Sequence, residues 1–223
     1  CYNEEKNLQI LINKCFDILK NNNCEVVLVN NGSIDNSKQI LDKSAKLFSN
    51  LTVIHIVDNI GYGNGIVEGL KIAKGDILGW THADLQTNPS DFLIAIKLFK
   101  NKDDNIYVKG LRKGRSFFDV FFTFGMSIAE SILFKKLMND INAQPNAFTK
   151  KFFLSLKNFP NDYALDLFFY INAKRQNLRF YRFPVLFKKR LHGTSHWNFG
   201  LRSKFKFILR TLSYSIKLKI DKL

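Results

Sequence analysis

The first 110 residues alternate between two hydrophobic periods, and that alternation restricts the fold more than any other feature of the chain. Leu8, Leu11, Ile12 and Cys15 recur at helical spacing, and the run Glu25-Val26-Val27-Leu28-Val29-Asn30 then reads as a buried strand closed by the polar turn Asn30-Asn31-Gly32. The exchange repeats downstream. Helical spacing covers 37–48, 64–74 and 90–100, and strand-like runs cover 51–57, 76–81 and 106–109. Such a chain buries both faces of its strands by laying helices on either side of a mainly parallel sheet, an α/β architecture. In these sheets ligands bind in the crevice beyond the carboxyl ends of the strands. Asn30-Asn31-Gly32-Ser33 and His82-Ala83-Asp84 fall at two such ends, so two loops should converge on one site. The sequence opens on Cys1-Tyr2-Asn3-Glu4, a turn running into a helix, and one more strand is expected ahead of it.

After residue 110 the alternation gives way to aromatic-rich helical segments, a strand over 178–185 and an amphipathic segment over 197–223. Neither an internal repeat nor a low-complexity linker separates a second unit. One domain over 1–196 is therefore expected, with halves 1–110 and 111–196 and a C-terminal appendage. The halves differ in charge: 1–110 carries 12 Lys+Arg and 13 Asp+Glu, whereas 111–223 carries 22 and 6, giving +15 for the chain. That asymmetry implies a polyanionic partner, for which nucleic acid, anionic lipid headgroups and phosphorylated substrates all qualify. The most apolar stretch, 117–134, is broken by Asp119 and Glu130, so no transmembrane helix is expected. Cys1, Cys15 and Cys24 have neither metal-ligand spacing nor the even number of a disulfide framework, which points to reduced thiols.

Five motifs occur in order: Cys-Tyr-Asn-Glu-Glu at 1–5, Val-Asn-Asn-Gly-Ser-Ile-Asp-Asn-Ser at 29–37, Asn-Ile-Gly-Tyr-Gly-Asn-Gly at 59–65, His-Ala-Asp-Leu-Gln at 82–86 and His-Gly-Thr-Ser-His-Trp at 192–197. Together they resemble the signatures of family 2 glycosyltransferases, and within that family the polyprenyl-phosphate (dolichol-phosphate) sugar synthases. The resemblance implies a GT-A-like catalytic domain whose first half holds a nucleotide-diphosphate sugar and whose second half holds the acceptor.

On that resemblance, Tyr2, Asn3, Glu4, Asn30, Asn31, Gly32 and Ser33 belong to the nucleotide side. A carboxamide offers a donor and an acceptor to a base edge, although taken alone Asn30-Asn31-Gly32 is an ordinary turn. The family's Asp-x-Asp metal motif corresponds to His82-Ala83-Asp84, followed by Gln86. Asp84 is the strongest ligand for a divalent metal, Gln86 can add its carbonyl oxygen, and His82 either ligates or donates to phosphate. Oxygen ligands suit Mg²⁺, whereas an imidazole tilts the site towards Mn²⁺. Gly63 and Gly65 lack dinucleotide-fingerprint spacing, and the resemblance places them at a helix start with backbone amides facing phosphate.

Lys109, Arg112, Lys113 and Arg115 cluster around two glycines. Arg112 and Arg115 suit an acceptor phosphate or the diphosphate leaving group, although a charge run alone is a solvated face. Asp140 and Gln144 lie in a polar stretch that resembles the segment lining the sugar and acceptor pocket. Asp166 matches the acidic position near the acceptor, with Asp162 as a competitor. Arg190, Ser195 and His196 resemble the Arg-x-x-Gly-x-Ser-Lys loop that can close over the diphosphate. In the last segment Leu201, Phe205, Ile208, Leu212 and Ile216 form an apolar stripe flanked by Arg202, Lys204, Lys206 and Arg210. That is the pattern of a basic interfacial helix on anionic lipid, or of a helix packed on the core.

The resemblance thus implies an inverting, metal-dependent hexosyltransferase that moves a sugar to a polyprenyl phosphate, peripheral on the inner, cytoplasmic face of the cell membrane. The alternatives are transfer to a saccharide hydroxyl in envelope polysaccharide assembly, with Asp162 or Asp166 as base, and a non-catalytic protein that binds a sugar nucleotide or nucleic acid. No recognisable nucleic-acid-binding motif is present, so a nucleic-acid partner is not expected.

Overall fold

A computed structural model describes residues 1–100, 105–193 and 201–220, with side chains at all of these except 100 and 201–207. The chain runs α1 (Glu5–Asn21), β1 (Val26–Asn31), α2 (Ser37–Ala45), β2 (Leu51–Ile56), α3 (Tyr62–Ile72), β3 (Ile77–Trp80), α4 (Asp91–Lys100), β4 (Ile106–Lys113), α5 (Phe117–Phe134), β5 (Asn146–Thr149), α6 (Lys150–Leu154), α7 (Ala164–Arg175), β6 (Arg179–Leu186) and α8 (Leu201–Ile220). The alternation expected for the first half is present, with boundaries shifted by a few residues.

β1 and β2 pair in parallel, Val26 opposite Leu51 through Asn31 opposite Ile56. β4 and β6 also pair in parallel, over the whole of Ile106–Lys113. Between β3 and β4 lies β5, antiparallel to both. The strands thus form two sheets, β1-β2 and β3-β5-β4-β6, in which the two parallel ladders are the longer ones and the inserted antiparallel β5 is a strand that the sequence reading missed. β4 is twice its expected length and carries Arg112 within the strand.

α1 reaches the core through its apolar stripe. Leu8, Leu11, Ile12, Cys15 and Leu19 of α1 pack with Leu28 of β1 and Leu41 of α2. On the other side an aromatic cluster of Trp80, Tyr107, Phe148, Phe152, Phe168 and Phe169 fills the space between β3, β4, β5 and α7. Much of the phenylalanine-rich second half is therefore core. α7 is buried from Ala164 to Ala173 without interruption, and a helix enclosed on all sides has no polar face to reveal it.

The C-terminal helix packs in part on this core. Tyr214 and Leu218 of α8 join the apolar clusters and Ser215 is buried, while Ile208 and Leu212 are half-buried and Ile216 is exposed. The face turned inward is thus not the expected stripe. Leu201 and Phe205 of that stripe lie outside the described side chains.

Candidate active site

The ends of β1, β3 and β4 border one cleft, lined among others by Asn31, His82, Asp84, Arg112 and Arg190. At its mouth the first two motifs are stitched together. The Asn3 amide donates to Ser33 Oγ at 3.0 Å, the Ile34 amide to Asn3 Oδ1 at 3.0 Å, and the Glu4 amide to Ser37 Oγ at 3.1 Å. Gly32, at φ 72°, makes the turn, and a Cβ there would meet the Asn59 amide nitrogen at 2.5 Å. Glycine at this position is a backbone requirement.

β1 sends its two terminal asparagines to different places. Asn31 lines the cleft, donating to Asn59 Oδ1 at 3.2 Å and to the Gly61 carbonyl at 3.0 Å, and Gly65 packs against its carboxamide. Its Oδ1 is buried without a partner among the described residues. Asn30 does not face the cleft. Its carboxamide accepts from the Ser33 amide at 3.2 Å and meets His55 Nδ1 at 3.0 Å, so it builds the turn. Gly63 also departs from its expected role, because a Cβ there would sit 2.3 Å from the Pro160 carbonyl, and the following Asn64 amide donates to the Asn161 carbonyl. The start of α3 is covered by the 160–162 loop and does not present these amides to a ligand.

Beyond β3, Asp84 is buried and bound from two sides. Arg190 Nη2 lies 2.7 Å from Asp84 Oδ2, and the Gln86 amide donates to Oδ1 at 3.0 Å. Arg190 also lies 3.8 Å from Glu4 Oε1 and within 3.5 Å of Gln86 Oε1, so the loop after β6 joins the first and fourth motifs. Burial, opposed by Asp84 but reinforced by Arg112, Arg190 and Lys109, pushes the His82 imidazole down to about 4. It is therefore neutral at neutral pH, and its Nε2 is buried without a partner among the described residues.

Asp84, Gln86 and His82 thus offer one carboxylate, one amide oxygen and one uncharged imidazole. A set with a single carboxylate fits a divalent ion that takes its remaining ligands from substrate phosphates. Among the described residues no three His, Cys, Asp or Glu side chains gather into a metal cage.

The opposite wall is basic. Arg112 reaches Asp140 Oδ1 through Nε at 2.9 Å and through Nη2, and its amide donates to Oδ2 at 2.9 Å. Arg115 approaches the same carboxylate at 3.4 Å and donates through Nη2 to the Asp119 carbonyl and Thr123 Oγ1. Burial works against the charge of Asp140, but Arg112 above all holds the carboxyl below its usual range. Two guanidinium groups share one carboxylate, so the cluster keeps an excess positive charge beside the cleft. Of the neighbouring cations, Lys113 at the end of β4 is exposed, whereas Lys109 in its middle is fully buried.

Lys109 Nζ donates to the Ala143 carbonyl and to Asn146 Oδ1, both at 2.6 Å, and lies 3.9 Å from Asp166 Oδ1. Asp166 accepts from Tyr62 at 3.1 Å and from Asn146 Nδ2 at 3.2 Å, while Gln144 Nε2 donates to Tyr62. Burial pushes Lys109 down to about 7 and raises the Asp166 carboxyl. Asp162 instead accepts from the Ala164 amide at the start of α7 and pairs with Arg210.

The sequence reading missed Tyr62, Asn146 and Arg182 as parts of this site. Arg182 donates to the Gly110, Asn139 and Asp140 carbonyls and so ties down the Asp140 segment. Tyr62 lies inside the 59–65 motif and Asn146 ends the polar stretch that begins at Asp140, so of the three only Arg182 lies in no recognised segment. Ser195 and His196 lie outside the described residues.

The sequence profile described as glycosyl transferase family 2 matches residues 1–208. A dolichyl-phosphate beta-glucosyltransferase of Trichomonas vaginalis is 33% identical over 118 residues, 48% of this chain and 36% of that protein. The undecaprenyl-phosphate 4-deoxy-4-formamido-L-arabinose transferase of Proteus mirabilis is 36% identical over 94 residues, 40% of this chain and 28% of that protein. The matched stretch spans about a third of the length of these relatives. Among solved structures, glucosyl-3-phosphoglycerate synthase of Mycobacterium tuberculosis, in complex with Mn²⁺, uridine diphosphate and glucosyl-3-phosphoglycerate, superposes with a TM-score of 0.72 at 14% identity, covering 98% of this chain and 77% of that one. A mannosyltransferase from Pyrobaculum calidifontis in complex with GDP-Man and Mn²⁺ gives 0.68 at 17% identity, covering 97% and 62%. The fold is that of the GT-A glycosyltransferases.

Proposed function

The chain belongs to glycosyl transferase family 2, and on that premise we propose that it moves a sugar from a nucleotide-diphosphate sugar onto a polyprenyl phosphate at a membrane surface, with inversion at the anomeric carbon. The observation that carries this reading is the division of one cleft into an acidic wall at Asp84 and a basic wall at Arg112 and Arg115. Two phosphorylated groups, a donor diphosphate and an acceptor phosphate, need such opposed walls.

On the donor side, Asn31 with the 1–5 and 29–33 turns holds the nucleoside. Asp84 and Gln86, with His82 beside them, hold a divalent ion, which supplies positive charge to the departing diphosphate. Arg190, with Ser195 and His196 in the same stretch of sequence, adds cationic and hydroxyl contacts to that diphosphate. On the acceptor side, Arg112 and Arg115 orient the phosphate, and Asp140 fixes both guanidinium groups. An acceptor phosphate is anionic at neutral pH, so attack on the sugar needs little help from a base. Asp166, bonded through both oxygens to Tyr62 and Asn146, then shapes the sugar pocket together with Gln144. Catalysis comes chiefly from placing two anions in line and stabilising the one that leaves.

The test is transfer of labelled sugar from a panel of uridine and guanosine diphosphate sugars to a polyprenyl phosphate with Mg²⁺ or Mn²⁺. Asp84→Asn should lower turnover by about a hundredfold or more, because it keeps the shape and removes the only carboxylate of the motif. Product confined to a saccharide hydroxyl would overturn the acceptor assignment, and full turnover of Asp84→Asn would overturn the metal assignment.

A further inference from the structure

α5 is an amphipathic helix turned the wrong way round for a protein in water. Its polar residues Asp119, Thr123, Ser127 and Glu130 follow one helical stripe, and that stripe faces the protein. Thr123 Oγ1 accepts from Arg115, Ser127 Oγ accepts from the Asp140 amide at 3.2 Å, and Glu130 accepts from Ser215 of α8 at 2.6 Å. The apolar stripe faces outward: Phe117 is 78% exposed, Phe121 62%, Phe124 64% and Ile132 72%, with Ile128 between them. Four phenylalanines, counting Phe118, leave an apolar patch on the order of 500 Å² or more, at the top of what a monomer carries without a partner.

We propose that this outer face of α5 docks on a lipid bilayer, lying in its interface rather than crossing it. By length and composition the helix could span a membrane, with 18 residues at a mean hydropathy of 1.5. Its bonded inner stripe holds it against the domain instead. The charges fit lipid in particular: Glu130 is buried and Asp119, half-buried, accepts from Ser116, while Lys113 before the helix and Lys135 at its end are exposed and can reach anionic headgroups. Arg115, bonded to the first turns of α5, then stands next to the bilayer surface. The consequence for the acceptor rests on the polyprenyl-phosphate reading above, but the docking surface does not.

The experiment is sedimentation with phosphatidylcholine vesicles containing phosphatidylglycerol. The wild type should bind. The triple variant Phe117→Ser, Phe121→Ser, Phe124→Ser should lose at least tenfold in vesicle affinity, and the corresponding triple Leu variant should keep it. Hydrogen exchange on the wild type, which requires no variant to fold, should show protection over 117–134 when vesicles are added. No vesicle binding by the wild type, no protection of α5, or undiminished binding by a folded Ser variant would overturn the proposal. So would a dimer that the Ser variant converts to monomer without any effect of lipid. A wild type that binds vesicles through α5 but glycosylates only a saccharide would uphold the surface and remove the acceptor assignment.

Discussion

Asp140 carries more of the site than its place in a polar loop suggests. It is the only carboxylate bonded to Arg112 and Arg115 among the described residues, and it is itself held by the Ser127 hydroxyl and the Arg112 amide. Replacing it with Asn leaves two largely buried guanidinium groups facing each other, and breaking a pair of this kind costs about 3–5 kcal/mol. Asp140→Asn should lose stability of that order in urea unfolding, and an unchanged midpoint would show that the cluster is solvated. At the same scale, Arg112→Ala should weaken use of the acceptor phosphate far more than binding of the nucleotide sugar. Arg112→Lys should restore only part of the loss, since an ammonium cannot reproduce the planar fork. Saturation kinetics in both substrates separate the outcomes, and equal losses would place Arg112 on the donor diphosphate. The sequence picks out these arginines and Asp84 only through motifs that resemble a family, since a charge run alone reads as a solvated face. It does not distinguish Asn31 from Asn30, because the run before them is apolar on both strand faces and sets no parity.

Among elements, α5 shows how far sequence pattern reaches. The interruptions at Asp119 and Glu130 are visible in the sequence, but whether a polar stripe points to water or to protein depends on what α8 and the Asp140 loop offer it. α7 and β5 were illegible for opposite reasons, the first because it is buried around its whole circumference and the second because four residues carry no period. The α5–α8 contact makes its own prediction. Burial, partly offset by the Ser215 hydroxyl, pushes the Glu130 carboxyl up to about 7. The unfolded chain releases that proton near its ordinary value of 4.5, so this residue's contribution is intact below that pH and is lost as pH rises towards 7. Glu130→Gln should therefore gain stability relative to the wild type between pH 5 and 8, by on the order of 3 kcal/mol. Thermal unfolding of both proteins across that range measures it, and a difference independent of pH would mean that the carboxyl is not buried as described.

At the scale of the molecule, both halves of the chain contribute to one cleft, Asp84 from the near-neutral first half and Arg112, Arg115 and Arg190 from the strongly basic second. The alternating first half could be read from period alone, and the second half only through residues that resemble a family, since its elements are buried, short or inverted. The phenylalanines illustrate the limit, because those of β5, α6 and α7 fill the core while Phe117, Phe118, Phe121 and Phe124 of α5 face outward, and composition does not separate them. The central claim is that a sugar passes from a nucleotide diphosphate to a lipid phosphate across this cleft with a cation at Asp84. The most direct test incubates the wild type with labelled nucleotide sugars and vesicles containing a polyprenyl phosphate, with Mn²⁺ or with excess chelator, and then extracts the lipid. The account predicts label in the lipid fraction that needs both the divalent ion and Asp84, whereas label that persists in chelator, or that stays wholly in a water-soluble saccharide, would contradict it.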